Sequence, residues 1–467
     1  MAQPSHQQLK TENEQLKRRV AELESHVARI AGLEAQIEKL TLALEKSHRV
    51  SKRQAAPFSK RQTKKHPKKP GRKSGEQHGD HAHRQAPQRI DEVHEAPLPE
   101  QCPDCGGDVR ETHVDHQYQT EIPRQPIYRQ FNVHLGKCLC CRRRLQGRHA
   151  LQTSGALGAA ASQLGSDAQA AVVVLNKRMG LSHGKISQTF DSLFGIPLSR
   201  GGSAQAMLRA GRRCEGAYQD IRRAVRDAAW VVPDETGWRI GGRPAWLHAF
   251  VSETATYYEI AFSRGFDVPA GVLGEDYRGA LIHDGWSVYD RFQFAYHQQC
   301  LNHLMRRCRE MIDASPSRPA ALLPSGVLAL CREGLRLREE RDAGRLSLGD
   351  AAWEGLVLCA RMKKLSDRAW RSPANRRLAK HVGKHAWQWF SFLIKAGLDA
   401  TNYRAEQAIR PAVVNRKVWG GNRTVIGARA QSVLTSVLET CRQVGRSAME
   451  YLTSTLRSRN PIPLFNS

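Results

Sequence analysis

From Ala229 to Ile240 the side chains alternate across a ribbon, with Trp230, Val232, Asp234 and Thr236 on one side and Val231, Pro233 and Glu235 on the other. A period of two suits a pleated strand and not a helix, so this stretch narrows the fold more than any other. Arg243 to Val251 and Thr256 to Phe262 are rich in β-forming residues and lie a short polar turn apart, which predicts a hairpin beside that strand. Gly279 to Asp284 follows as a short apolar strand ending in an acid and a glycine, where α/β folds place functional side chains. Thr401 and Asn402 predict the cap of a helix in which Asn402, Glu406 and Arg410 share a face, while Ala405, Ala408 and Ile409 pack on the sheet. Pro411 is expected to kink or end that helix. The expected class is therefore α/β, a mixed sheet with helices, and His303 to Leu393 carries helix-period apolar residues between sheet and capped helix.

Taken singly, Asp234 reads as a strand-edge charge, Asp284 as a turn former and Glu406 as a partner of Arg410. Together, carboxylates from two strands and a helix suit a pair of Mg²⁺ or Mn²⁺ ions about 4 Å apart, one serving the attacking and one the leaving oxygen of a phosphodiester. A hard cation prefers oxygen ligands, so Asp and Glu are the residue types such a site needs.

The partner is legible in the charge. The chain of 467 residues carries 72 Lys and Arg against 45 Asp and Glu, a formal +27, and neutralised phosphates release counterions. Nucleic acid is the expected partner. No apolar run approaches the roughly 18 residues of a spanning helix, so no membrane role is expected. The start of the chain lacks a secretory pattern, which gives a cytoplasmic expectation, nucleoid-associated in a bacterium.

Leu9, Leu16, Leu23, Ile30, Ile37 and Leu44 recur with a heptad period, with Asn13, Val20 and Val27 between them, and predict a paired helix, hence a homodimer or higher oligomer. Beyond it, Lys and Arg crowd a stretch broken by Pro57, Pro67 and Pro70; Lys64, Lys65, Lys68, Lys69, Arg72 and Lys73 are candidate phosphate contacts on a disordered linker. Cys102, Cys105, Cys138 and Cys141 form two CxxC pairs that could hold one structural Zn²⁺, with Cys140 spare and Gly106-Gly107 allowing a tight turn. Tyr128 to Leu135 alternates as a strand would, a candidate hairpin between the pairs. The remaining cysteines Cys214, Cys308, Cys331, Cys359 and Cys441 lie singly in helical patterns and read as buried thiols.

Helices beginning near Leu181 and after Pro197 are compatible with a helix-turn-helix, or with plain packing. After the capped helix, Arg416, Lys417 and Arg423 flank Gly420-Gly421, a loop whose backbone and cations could approach a phosphate; Arg410 completes the candidate DNA contacts.

Asp234-Glu-Thr-Gly-Trp238, His283-Asp-Gly-Trp286, and Asn402-Tyr-Arg-Ala-Glu406-Gln-Ala-Ile-Arg-Pro411 followed by Arg416-Lys417 and Gly420-Gly-Asn-Arg-Thr424 resemble the core of IS66-family transposases. The resemblance implies an RNase H-like catalytic core with Asp234, Asp284 and Glu406 as its metal-binding triad, interrupted by a helical insertion. Cys300-Leu-Asn-His303 is similar to a Cys-x-x-His string of several DDE families, with a role in placing the site or a plain packing role both open. The implied organisation is a coiled coil at 1–47, a basic linker at 48–90, a zinc-binding domain at 91–150 and a helical DNA-binding region at 151–222. The core would occupy 223–299 and 395–430, the insertion 300–394 and a C-terminal helical extension 431–467. The implied partners are terminal inverted repeats, target DNA and accessory proteins of the same element. The alternative expectation is a zinc-containing dimeric DNA-binding regulator with an inert RNase H-like body.

Overall fold

The computed structural model describes residues 14, 16–21, 23, 36, 87–112, 114, 116–119, 125–153, 164–315, 317–458 and 460–465. The chain divides into two units, Met1–Thr120 and Glu121–Ser467. In the first, residues 16–21 are helical, and Leu16, Val20 and Leu23 are 58%, 52% and 57% exposed. The rest of the heptad seam, and the linker cations Lys64, Lys65, Lys68, Lys69, Arg72 and Lys73, lie outside the described residues.

The second unit begins with a small hairpin, β1 (Leu135–Lys137) against β2 (Arg144–Gln146). The strand expected from Tyr128 onward is absent among the described residues until Leu135. Ile127 and Tyr128 are 72% and 81% exposed, so that alternation has no apolar partner to bury against. Helices α1 (Ser166–Lys177), α2 (His183–Phe194), α3 (Arg200–Arg213) and α4 (Glu215–Arg226) come next. Ser182 and Ser199 cap α2 and α3 by accepting from the Lys185 and Gly202 N–H groups.

The sheet has β3 (Trp230–Ile240), β4 (Arg243–Val251), β5 (Thr256–Ala261), β6 (Ala280–His283) and β7 (Tyr296–Gln299), with α5 (Asp267–Leu273) between β5 and β6. Its order is β5-β4-β3-β6-β7. The first three strands are antiparallel, whereas β6 runs parallel to both β3 and β7. The alternation of β3 is realised: Val232, Trp238 and Ile240 bury in one core, and Val231 in the core on the opposite face.

The first core is shared with the helical insertion, α6 (Leu301–Asp313), α7 (Arg318–Asp342), α8 (Leu348–Ser366), α9 (Pro373–Lys384) and α10 (Ser391–Ile394). It also takes in α11 (Tyr403–Trp419) through Ala405, Ala408, Ile409 and Ala412. The second core joins the sheet to α1–α4 and to α12 (Val425–Gln443) and α13 (Ala448–Arg457). No helix of the described residues is long and apolar enough to cross a membrane.

Two features position the site. Helix α11 continues through Pro411 to Trp419 and is not ended there. The proline lies on the exposed side, so the unpaired Gln407 carbonyl can meet water, and the Tyr258 hydroxyl donates to the neighbouring Ala408 carbonyl at 2.7 Å. The outer strand β5 is sealed by α12: Ser432, Ser436 and Thr440, one turn apart, accept from the N–H groups of Ile260, Tyr258 and Thr256 at 3.1, 2.8 and 3.1 Å. An edge that would otherwise pair with another chain is thereby closed.

Candidate metal and DNA site

Asp234 lies on the central strand β3, opposite Ala249 of β4. Asp284 follows the last residue of the parallel neighbour β6, and Glu406 sits in the first turn of α11. The two strand acids are held by the backbone: Asp234 Oδ1 accepts from the Glu235 N–H at 2.9 Å, and Asp284 Oδ1 from the Trp286 N–H at 3.0 Å. Burial pushes the Asp234 carboxyl up to about 7, and the charges of Glu235, Asp284 and Glu406 push the same way. The three acids are thus brought within electrostatic reach of one another. Among the described residues, however, no three or more of His, Cys, Asp and Glu are grouped closely enough to hold a metal ion.

The residue types are those a hard divalent cation takes. All three side chains are carboxylates, and one of them, Asp234, is raised in proton affinity by burial first and by the neighbouring negative charges second. Asp284 and Glu406 are exposed and Asp234 partly so, which leaves room for solvent and substrate oxygen.

The Cys300 and His303 pair ties the third acid to the sheet. Cys300 precedes α6 directly after β7, its Sγ accepts from the Asn402 N–H at 3.5 Å, and Leu301 N–H donates to the Ala400 carbonyl at 3.0 Å. One turn on, His303 Nε2 stands 3.7 Å from Glu406 Oε1. His303 Nδ1 and Asn402 Oδ1 are buried without a hydrogen-bond partner. Asn402 occupies the cap position of α11 but makes no side-chain capping bond.

Of the candidate DNA contacts, Arg410, Lys417 and Arg423 are exposed. Arg416 instead reaches β3, where Nη1 donates to Thr236 Oγ1 at 3.2 Å and to the Gly237 carbonyl. The Gly420-Gly421 loop also turns inward. Asn422 N–H donates to the Arg239 carbonyl at 2.9 Å, Gly241 N–H to the Asn422 carbonyl at 2.8 Å, and Trp238 Nε1 to Asn422 Oδ1 at 2.7 Å. Gly421 has φ +126°, and a Cβ there would lie 2.5 Å from the Arg239 carbonyl oxygen. The close approach the glycines permit is therefore to β3, while Lys417 and Arg423 beside them stay exposed.

Sequence reasoning missed the support on the far face of β3. Glu235, whose side chain is 4% exposed, accepts from Arg264 Nε and Nη2 at 3.0 and 2.8 Å and from the Tyr289 hydroxyl at 3.1 Å. The Arg264 guanidinium also stacks on Trp286, 4.5 Å from the Trp246 centroid and 3.9 Å from that of Trp286. The residue beside one acid thus clamps the loop carrying the next. The adjacency of Asp234 and Glu235 in a strand was the available signal, since it forces them to opposite faces.

Below Asp284, buried His283 accepts from the Gly285 N–H at Nδ1 (3.3 Å) and shares a hydrogen bond with His297 Nδ1 (3.1 Å). His297 Nε2 meets the Phe292 carbonyl at 3.0 Å. Two neutral imidazoles satisfy all three contacts, and burial pushes His283 well below the ordinary range.

The two CxxC pairs adopt matching turns, one in each unit. Cys102 N–H donates to the Gly107 carbonyl at 2.9 Å and Gly106 N–H to the Cys102 carbonyl at 2.8 Å; Cys138 N–H donates to Arg143 at 2.9 Å and Arg142 N–H to Cys138 at 3.0 Å. Gly106 and Arg142 both have positive φ, +71° and +54°. Peptide N–H groups, from Asp104 for Cys102 and Cys141 for Cys138, hold these two thiols below the ordinary cysteine range. That is the condition a thiolate ligand needs. Cys214, Cys308, Cys331, Cys359 and Cys441 are buried free thiols, and Cys140 is exposed.

The class to which this mixed sheet and its helices belong is that of the DDE-type transposases, since residues 161–430 match a family model of that class. The model is described as Transposase IS66 family, and since it covers more than half of the sequence, the chain belongs to that family. Membership implies action on DNA and use of a divalent metal. No curated protein matches the chain.

Proposed function

We propose that the chain binds the terminal inverted repeats of an insertion sequence and catalyses DNA strand cleavage followed by strand transfer. The reading rests on one observation: burial and three neighbouring negative charges raise the Asp234 carboxyl to about 7. A buried carboxylate beside other acids is favoured either by a proton or by a bound cation, and above about pH 7 a cation would take the proton's place. On this reading the sheet, with order β5-β4-β3-β6-β7, is an RNase H-like core.

Asp234, Asp284 and Glu406 would hold Mg²⁺ or Mn²⁺, which would supply positive charge to the attacking and leaving oxygens of the scissile phosphodiester. Asp234 binds a proton on its carboxyl up to about pH 7 and must release it before it can serve as a ligand. His303 and Cys300 position Glu406 by tying α11 to the end of β7, and Arg264 holds the Asp284 loop against β4. In cleavage one P–O bond forms to water as the bond to the 3′-oxygen breaks; in transfer the freed 3′-hydroxyl replaces another 3′-oxygen in target DNA. Each step exchanges one P–O bond for another, so no covalent enzyme–DNA intermediate is needed.

The four cysteines Cys102, Cys105, Cys138 and Cys141 would hold structural Zn²⁺, and the N-terminal heptads would pair two chains so that two DNA ends are held together. Helices α2 and α3 remain candidates for sequence-specific contact. A second reading is a zinc-containing dimeric regulator with an inert core; among the described residues no group able to hold a metal ion is formed, either at the three acids or at the four cysteines. The two separate on Mg²⁺- or Mn²⁺-dependent nicking of DNA carrying the element's ends. Wild type is expected to nick and Asp234→Asn to lose at least 100-fold in rate, in the range mutagenesis finds for loss of one electrostatic stabiliser. Tight binding without any nicking supports the regulator instead.

A further inference from the structure

The insertion carries a feature its packing does not explain. Helix α9 reads PANRRLAKHVGK, with no acid. Leu378, Ala379 and Val382 are buried, which turns Arg376, Arg377, Lys380 and Lys384 outward, all exposed. Lys384 pairs with Asp290 at 2.5 Å, and Arg376 Nη1 donates to the Arg371 carbonyl at 2.8 Å. Arg377 and Lys380 have no acidic partner among the described residues. Arg376 and Lys380 are a like-charged i,i+4 pair, which costs helix stability, and Arg376 and Arg377 lie toward the positive end of the helix dipole. For the isolated protein this is an unfavourable arrangement.

Its place in the fold is beside the candidate site. His381 of α9 lies against the Asp284 loop, since a Cβ at Gly285 would be 3.5 Å from His381 Cε1. The Lys384–Asp290 pair joins the end of α9 to the turn that follows that loop. Just beyond α9, Trp387 is 59% exposed in a cleft it shares with Lys364, Arg368 and the Lys363–Asp367 ion pair (2.6 Å), which leaves Lys364 and Arg368 as its cations without an acidic partner among the described residues.

We propose that the outer face of α9 grips the phosphate backbone of the DNA strand entering beside Asp284, with Trp387 offering a stacking face to a base or sugar at its end. The proposal rests on the chain being a DNA strand-transfer enzyme and names the surface that holds the strand. Unpaired cations of one sign complement a polyanion, and an exposed indole among cations suits nucleotides. A lipid surface is disfavoured because the apolar face of α9 is committed to the core.

The test uses the full chain, a mixed-sequence DNA duplex and a salt series. Replacing Arg376, Arg377 and Lys380 together with Ala should flatten the plot of log affinity against log salt by about 2 to 3 units, close to 0.9 per lost phosphate contact. Arg376→Lys with Arg377→Lys should keep the slope. Trp387→Ala should weaken single-stranded DNA several-fold and leave the slope unchanged. An unaltered slope and affinity in the triple variant would overturn the proposal even if wild type nicks DNA. Loss of slope with a wild type that never nicks would instead retain this surface and remove the catalytic reading.

Discussion

Asp234 is the residue on which charge and stability meet. Its proton affinity is raised from 3.8 to about 7, so between those values the folded chain binds a proton that the unfolded chain releases. Stability therefore falls as pH rises through that window and levels off above it. Asp234→Asn, which mimics the protonated acid, should melt higher than wild type in chelator. The gap should open from about pH 4 to about pH 7 and then stay constant, on the order of 4 kcal/mol at most, or several °C. Mg²⁺ should close it by stabilising wild type alone. A gap that shrinks with rising pH, or a variant equally stabilised by Mg²⁺, contradicts this account. The acids were legible in sequence as strand-end and helix-face carboxylates. Their supports were not, because Arg264, Tyr289 and His297 earn their roles only through tertiary contacts with Glu235 and His283.

At the scale of elements, period and turn chemistry carried strands β3 to β6 and helix α11, since each buries one clearly marked face. Of the two outcomes expected at Pro411, a kink or an end, the end does not occur: the helix runs on to Trp419, with the proline on an exposed side where the freed Gln407 carbonyl can meet water. Hidden was the sealing of β5, since Ser432, Ser436 and Thr440 look in sequence like ordinary polar helix residues. Tyr258 N–H is buried, and its acceptor is Ser436 Oγ at 2.8 Å. Ser436→Ala should therefore cost about 1 to 3 kcal/mol in urea unfolding, the penalty of a buried donor left unmade. Thr435→Ala, at a half-buried neighbour whose hydroxyl serves only the Gln431 side chain, should cost less. Equal losses would mean that helix packing, and not the strand edge, sets the value.

Across the whole molecule, charge and assembly point the same way. A formal +27 opposes self-association of the body, so a pairing device must overcome repulsion that DNA itself relieves. The heptad seam is the candidate: among the described residues Leu16, Val20 and Leu23 are helical and at least half exposed. Three large apolar side chains on one helical stripe bury usefully only against another helix. Leu16→Lys with Leu23→Lys in the full chain should convert a dimer to a monomer in sedimentation at moderate salt, with the melting of the catalytic core unchanged. On the proposed reading, with the three acids on one chain and the two DNA ends held by a pair of chains, nicking of a single DNA end should persist while joining of two ends falls. A double variant that remains dimeric would place the interface elsewhere and leave the exposed leucines unexplained.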